Sequence, residues 1–448
     1  MLDALREGAA FRADGLSWVM ATLIVFVVLN VLAYSRRYLD GDRNARGHRR
    51  DVALLGAAVL ALAFADHLAV LVAAWAAANL LLVRLMMHNG RWEAARNSGL
   101  LALGTFAAGF AMLAAGTSLL AFEAGTASVR DIAAGAADPT ATRSLGLALV
   151  GLAAMTQSAA WPFHLWLMSS LNAPTPVSAL MHAGLINGGG FLLVRFAPLY
   201  ATEPWLLRAI FLAGLITATV GTFWKLLQPD IKRMLACSTM GQMGFMLMQC
   251  GMGLFAPAVS HLCWHGLFKA YLFLNAGSAV REDRRGTSVA GVTPIGLIVA
   301  SLAGVLGAVA FSRASGIGLR VSDTSCVMAA LAFMAAARLA AGLLDGRLAG
   351  WKVVAAPLAG LLAGGLYGLN VRMVEALLPS LAAARPQALD GVYLAGLIVL
   401  SLAWLAATAD LPSRLQSLAA WKRLYVAALN ASQPHPRTIT STRTAYRY

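Results

Sequence analysis

Long apolar runs separated by short polar stretches dominate this chain, and their recurrence predicts an all-α polytopic membrane protein. About thirteen runs are long enough to cross a bilayer as helices. They cover residues 16–34, two stretches within 52–87 joined near Asp66, then 98–122, 144–167, 175–199 and 205–227. The rest cover 231–252, 254–280, 292–311, 325–344, 353–371 and 392–408. A polar start with Asp3, Arg6, Glu7, Arg12 and Asp14 precedes a full-length span, which argues against a cleavable signal peptide. The pattern changes after Asp410. Residues 411–429 alternate Arg414, Lys422 and Arg423 with Leu415, Leu418, Trp421 and Leu424. This predicts an amphipathic helix that lies on the interface or docks onto a partner. Residues 432–448 carry Pro, Thr, Ser and Arg and are expected to be flexible unless a partner orders them. The chain thus divides into a transmembrane domain, 1–410, and a tail, 411–448.

Inside this apolar frame the polar exceptions carry the information. His261, His265 and Lys269 follow at four-residue steps within the run 254–280, which puts them on nearly one helix face. A charge within a span costs at least ~2.5 kcal/mol unless it faces a partner or a polar cavity. Two readings stand: a proton or ion path, or a satisfied polar cluster that fixes helix packing. Pro162 interrupts one run and Asn172-Ala-Pro-Thr-Pro176 opens the next, and a Ser-Arg-Ala-Ser-Gly-Ile-Gly run follows Phe311. Interruptions in two halves of a chain fit an inverted-repeat transporter with broken helices, whose non-helical backbone lines a cavity, and spacing alone fits a pair of ordinary kinks and loops equally well. His182 lies beside the first break and joins the candidate path. Lesser candidates are His164, Asp66, which can equally cap the next span, and Lys225 and Asp230, where snorkelling to the interface is the default. Gly188-Gly-Gly190 has no Lys-Ser/Thr after it and reads as close helix packing rather than a phosphate loop.

Composition supports the membrane class: 59% of the 448 residues are hydrophobic and only 12% charged, about half the charged share of a soluble protein. The four cysteines all sit in apolar runs, so neither a disulfide framework nor a zinc site is read. The net charge of +15 raises a nucleic-acid partner, but the basic residues occupy short inter-span loops, and that partner is rejected. Basic clusters follow the odd-numbered spans: Arg36, Arg37, Arg43, Arg46, Arg49 and Arg50; Arg91 and Arg96; Lys232 and Arg233; Arg281, Arg284 and Arg285; Arg347 and Lys352. This alternation places the N-terminus outside and the C-terminus in the cytoplasm. No haem, flavin, nicotinamide or iron–sulfur signature is present, so no cofactor and no enzyme chemistry are expected of this chain.

Several of these motifs carry a resemblance. Ala173-Pro-Thr-Pro-Val-Ser-Ala-Leu-Met-His182, Asp230-Ile-Lys-Arg-Met-Leu-Ala with Ser238-Thr-Met-Gly-Gln242, and His265-Gly-Leu-Phe-Lys-Ala-Tyr-Leu-Phe273 resemble the antiporter-like membrane subunits of respiratory complex I and Mrp-type antiporters. Phe11-Arg-Ala-Asp-Gly-Leu-Ser17 is similar to the sequence ahead of that family's third helix, so its two leading helices are not expected here. His182-Ala-Gly-Leu-Ile-Asn-Gly-Gly-Gly-Phe191 and Leu235-Ala-Cys-Ser-Thr-Met-Gly-Gln-Met-Gly-Phe-Met246 resemble the membrane subunit of Dab-type inorganic-carbon uptake systems. So does Met248-Gln-Cys-Gly-Met-Gly-Leu-Phe255.

The resemblance implies a bacterial inner-membrane subunit that uses a proton or sodium gradient to accumulate bicarbonate. It also implies a large cytoplasm-facing partner resembling a carbonic anhydrase, which would hold the zinc. Two positions depart from the complex I pattern. Trp75 is followed by Ala76 where those subunits carry Glu, and Gln157 stands where they carry Lys. Neither side chain titrates, so the charge switch of a Glu–Lys pair is missing. A later Lys of the family falls near Arg313 or Arg320. A proton-pumping subunit of a complex I or Mrp-type assembly and a passive membrane anchor remain as alternatives.

Overall fold

The computed structural model describes residues 9–135, 139–280, 294–344, 350–381 and 385–439. Helices account for nearly all of them, with only isolated antiparallel bridges, such as Phe11 with Ala65 and His67 with Ser128, between extended residues. This is a multi-pass membrane fold. The described residues form two compact units: one holds those up to Gly251, His261–Val280 and those from Ala428 on, and the other holds Met252–Ser260 and those from 294 to Ala427.

The first unit opens with α1 (Gly15–Tyr38), whose N-cap Asp14 accepts from the Ser17 N–H at 2.8 Å. It continues with α2 (Ala45–Phe64), α3 (Leu68–Met86) and α4 (Glu93–Ala124), which ends on Gly125 in the left-handed region, φ 67°. The short α5 (Val129–Ala134) precedes α6 (Ala141–Gln157). Then comes the interrupted stretch: α7 (Leu165–Met168), α8 (Thr175–Ala183), α9 (Gly188–Arg195) and α10 (Ala197–Tyr200), with 3₁₀ turns at Ser170–Asn172 and Leu185–Asn187. Helices α11 (Pro204–Leu227) and α12 (Ile231–Gly251) pack so closely that a Cβ on Gly214, Gly221, Gly244 or Gly251 would strike the facing backbone. Helix α13 (Phe255–Leu274) carries the His/Lys row.

The second unit contains α14 (Pro294–Ser315), α15 (Ser325–Leu344), α16 (Gly350–Leu377) and α17 (Gly391–Thr408), followed by α18 (Leu411–Leu415). Helix α19 (Ala419–Ala431) then leads toward the C-terminus.

Nine helical stretches among the described residues are long and apolar enough to cross a membrane, fewer than the thirteen expected. The other four expected stretches are also helical, as α2, α6, α12 and α13, but each falls short for a visible reason. Helix α2 starts with Arg46, His48, Arg49, Arg50 and Asp51; α12 carries Gln242, Gln249 and several Gly, Ser and Thr among its apolar residues; α6 has 17 residues; α13 contains two histidines and a lysine. The interrupted stretch is the most enclosed of the nine, 89% buried over Thr175–Arg195, whereas α17 is 11% buried.

Three sequence expectations change. The second interruption is a helix end, because α14 runs unbroken to Ser315 and the chain then turns through Gly316 and Gly318, both at positive φ. The amphipathic segment is two helices, α18 and α19, separated by a turn in which the Leu418 N–H donates to the Leu415 carbonyl. Residues 432–439 are tied down by specific bonds rather than loose. Gln228 Nε2 donates to Ser432 Oγ (2.7 Å), the His435 N–H to Ser169 Oγ (3.0 Å), and Asn172 Nδ2 to the Thr438 carbonyl (2.9 Å). Arg281, Arg284, Arg285 and Arg347, residues 440–448, and Asp3, Arg6 and Glu7 lie outside the described residues.

Candidate functional site

The site is built on the interruption between α8 and α9. At Gly184 the backbone turns (φ −112°, ψ −79°), and the helical ladder stops. The carbonyls this frees are met by side chains, as they must be at membrane depth. Asn187 Nδ2 donates to the Ala183 carbonyl (2.8 Å), Gln157 Nε2 to Leu185 (3.3 Å) and Ser158 Oγ to Ile186 (3.1 Å). Gly189 lets α9 press on α6, since a Cβ there would collide with the Ala154 carbonyl and Ser158 Oγ. The glycine run is therefore packing, as the sequence indicated.

Two hydrogen-bonded lines leave this interruption. In the first, the Lys269 ammonium donates to the Leu235 carbonyl at 3.2 Å, and the Thr239 hydroxyl donates to the same carbonyl at 2.9 Å. With its one proton so placed, the Thr239 oxygen accepts from His182 Nδ1 at 3.0 Å, which sets the histidine's tautomer. His182 also stacks on Phe273, ring centroids 4.2 Å apart. In the second, Asn187 spends both amide protons on carbonyls, so its Oδ1 accepts from His265 Nδ1 at 3.3 Å. The His265 and His261 rings lie nearly parallel, centroids 6.0 Å apart, and both Nε2 atoms are buried without a partner. Lys269 is 1% exposed and His182 1%.

Among the described residues, then, His182, His261, His265 and Lys269 gather around one helix break, each with proton-carrying nitrogens and few partners. An ammonium has three donors, and Lys269 finds one carbonyl. Such a row of an amine and imidazoles can take up and release protons.

The lesser candidates have structural partners. Asp66 does not cap α3, where His67 fills that place by accepting from the Ala69 N–H. The Asp66 carboxylate instead accepts from the Arg130 N–H (3.0 Å) and Ser128 Oγ (3.4 Å), pinning the start of α5. Asp230 caps α12 through the Arg233 N–H (2.8 Å), and Lys225 is exposed in the last turn of α11. His164 packs against Trp224, centroids 5.1 Å apart. Three groups were not singled out from the sequence: Asn187, Thr239 and the Leu235 carbonyl. The first two are polar residues within otherwise apolar runs, a signal that was available. A backbone carbonyl gives none.

The neutral positions form a contrasting place. Trp75, Asn79 and Gln157 line a small, mostly apolar cavity together with Gly184, Gly188 and Phe191. Trp75 Nε1, Asn79 Oδ1 and Gln157 Oε1 are buried there without partners. Among the described residues, no three His, Cys, Asp or Glu side chains are grouped to hold a metal ion.

Comparison with known proteins adds the following. The family described as NADH:quinone oxidoreductase/Mrp antiporter, transmembrane region, matches residues 65–294, and the N-terminal region of chain 5 of NADH-ubiquinone oxidoreductase (complex I) matches residues 3–46. The probable inorganic carbon transporter subunit DabB1 of Halothiobacillus neapolitanus is 38% identical over 284 residues, which is 62% of this chain and 51% of that protein. The corresponding DabB of Bacillus subtilis is 38% identical over 282 residues, 62% of this chain and 55% of that protein. The chloroplastic NAD(P)H-quinone oxidoreductase subunit 5 of Zea mays is 44% identical over 135 residues, 30% of this chain and 18% of that protein. A chain in the structure of the Mrp complex from a Dietzia species superposes with a TM-score of 0.57 at 22% identity, covering 93% of this chain and 52% of that one, a likeness of fold. This chain spans about half the length of the curated relatives it matches first.

Proposed function

We propose that this chain, which belongs to the NADH:quinone oxidoreductase/Mrp antiporter transmembrane family, carries the ion-coupled step of inorganic-carbon uptake. The coupling ion is the proton, moving along the His182/His261/His265/Lys269 row. A large cytoplasm-facing partner resembling a zinc carbonic anhydrase turns the gradient into accumulated bicarbonate. The membrane is the bacterial inner membrane, with the N-terminus outside and the C-terminus in the cytoplasm, as the alternation of basic loops supports. The observation that carries the reading is the row itself: an amine and three imidazoles held on α8 and α13 around a helix break. The names of the DabB relatives supply the substrate class.

The energetics suffice. One proton falling through ~150 mV releases about 3.5 kcal/mol, at ~2.3 kcal/mol per 100 mV. At ~1.4 kcal/mol per decade this sustains a concentration ratio of a few hundred-fold. The test is rescue of growth. Expressed with its zinc-protein partner, the chain restores growth in ambient air to a bacterium lacking carbonic anhydrase, and an uncoupler stops bicarbonate accumulation. Accumulation that continues unchanged without any ion gradient removes the proposal.

One observation favours a second reading, a passive anchor for the partner. Gln157 lines the neighbouring cavity, where no described side chain titrates, and Ala76 supplies no charge beside Trp75. The same positions count against a standard complex I pump. Co-purification with quinone-reducing subunits would revive that alternative.

A further inference from the structure

One charged side chain of the second unit has no counterpart in the path described above. Arg338 lies within the span α15, six residues before its last residue, Leu344, which is about 9 Å from the helix end at 1.5 Å per residue. Its side chain is exposed, and among the described residues it enters no ion pair. It lines a shallow groove between α14, α15 and α17 with Ser301, Trp404, Thr408 and small residues such as Ala300 and Ala337. Trp404 Nε1 is buried there and donates to nothing. The Thr408 hydroxyl is spent on the Trp404 carbonyl at 2.8 Å. Among the described residues the groove therefore presents a guanidinium and a free indole N–H, and no carboxylate lines it.

Depth narrows the ligand. Leu297 and Ser301 lie near the start of α14, Arg338 and Ala341 near the end of α15, and Trp404 and Thr408 at the end of α17. All six are within about 10 Å of those helix ends. That is inside the hydrocarbon layer, and the long stem of Arg338 lets its guanidinium snorkel outward toward the lipid phosphates. Around the groove Leu297, Leu339, Leu402 and Leu405 are 41–61% exposed, an apolar surface facing outward in a membrane protein. An unpaired arginine at this depth is costly unless an anion reaches it. A free anion meeting that guanidinium would leave the leucines below it uncovered, whereas a lipid brings a phosphate together with acyl chains that cover them.

We propose that the groove is a binding site for one anionic phospholipid. Arg338 and Trp404 Nε1 hold phosphate oxygens through charge-assisted and neutral hydrogen bonds. The acyl chains lie along the exposed leucines of α14, α15 and α17.

The full chain, purified in mild detergent with whatever subunits accompany it, is the material for the test. Native mass spectrometry reads retained lipid, and thermal unfolding reads stabilisation by added phosphatidylglycerol, phosphatidylcholine or inorganic phosphate. The wild type should retain a single phosphatidylglycerol and be stabilised by that lipid alone. Arg338→Gln should lower retention about tenfold, as expected for one lost charge-assisted bond. Trp404→Phe, which keeps the ring and removes the N–H, should lower it by a smaller factor. Equal retention by Arg338→Gln and wild type overturns the site. Equal stabilisation by phosphatidylcholine removes the charge recognition, and equal stabilisation by inorganic phosphate makes the ligand a free anion. Should Arg338→Gln not fold, Trp404→Phe decides: reduced retention supports the site, and unchanged retention overturns it.

Discussion

Two places in the first unit touch the same helix break and differ in kind. On one side His182 and Asn187 connect it to His265, His261 and Lys269, all side chains that carry or exchange protons. On the other side Gln157 and Ser158 meet the freed carbonyls of Leu185 and Ile186, and the cavity beyond holds only neutral groups. Among the described residues charge lies on one side of the break. The break is therefore braced from α6 and given its chemistry from α12 and α13. A substitution on the α6 side should alter stability, and one on the α12 and α13 side should alter transport.

The sharpest way to break that contrast is Lys269→Met, which keeps the apolar stem and most of the volume. Uptake should fall about a hundredfold, the lower end of what a positioned proton-transferring group contributes, while assembly with the partner is unchanged. Labelled bicarbonate accumulation and co-purification from the same cells report the two quantities. Full uptake by an assembled variant would make the row a packing device and favour the anchor.

Next in size is Asn187→Leu. It releases His265 Nδ1 and leaves the Ala183 carbonyl without its side-chain donor. Losing a buried hydrogen bond with its partner left unpaired costs about 1–3 kcal/mol, so both uptake and thermal stability should drop. His265→Ala should match it in uptake and lose less stability, because the helix break stays braced. If the two variants show the same stability, Asn187 is not holding the break.

Gln157→Leu probes the opposite side. The Leu185 carbonyl loses a donor at 3.3 Å, a long bond, and stability should fall by about 1 kcal/mol. Uptake per assembled complex should stay near wild type. A large fall in uptake without loss of stability would mean that the neutral cavity takes part in transport, and the contrast would fail.

How much of this was legible in the sequence follows from where each signal resides. Apolar length is local, so a helix appears in each predicted stretch, and four-residue spacing placed His261, His265 and Lys269 on one face. The partners of that row were hidden because they are neutral or belong to the backbone: Thr239, Asn187 and the Leu235 carbonyl. Contacts between distant residues left no local mark either. Asp66 pins α5, 64 residues away through the Arg130 N–H, instead of capping α3. Gln228 holds Ser432 across 204 residues, so a segment whose composition reads as loose is tied down. Composition describes what a segment does alone, and neither case is a segment alone.

The smallest expected effect concerns a third support of the break, at the far end of α9. There Arg195 pairs with Asp14, the N-cap of α1, and also donates to Ser17 Oγ (3.1 Å) and the Ala63 carbonyl (2.9 Å). Burial alone would raise the Asp14 carboxyl. The charge of Arg195 and the hydrogen bonds from Ser17 outweigh it and hold the group below its ordinary value of 3.8. The sign follows directly. A carboxylate more acidic in the folded state stabilises the fold above pH 3.8, and that stabilisation is lost as pH falls through and below this value. The Asp14 side chain is 45% exposed, so solvent screening limits the contribution to about 0.5 kcal/mol. Thermal unfolding in detergent between pH 6 and pH 3 should therefore show a slightly shallower fall for Asp14→Asn than for the wild type, with uptake at neutral pH nearly unchanged. The same slope in both proteins would remove the charge from this clamp and leave the Arg195 bonds to Ser17 and Ala63 as its whole strength. A marked loss of uptake at neutral pH would show instead that transport depends on how α9 is held at both of its ends.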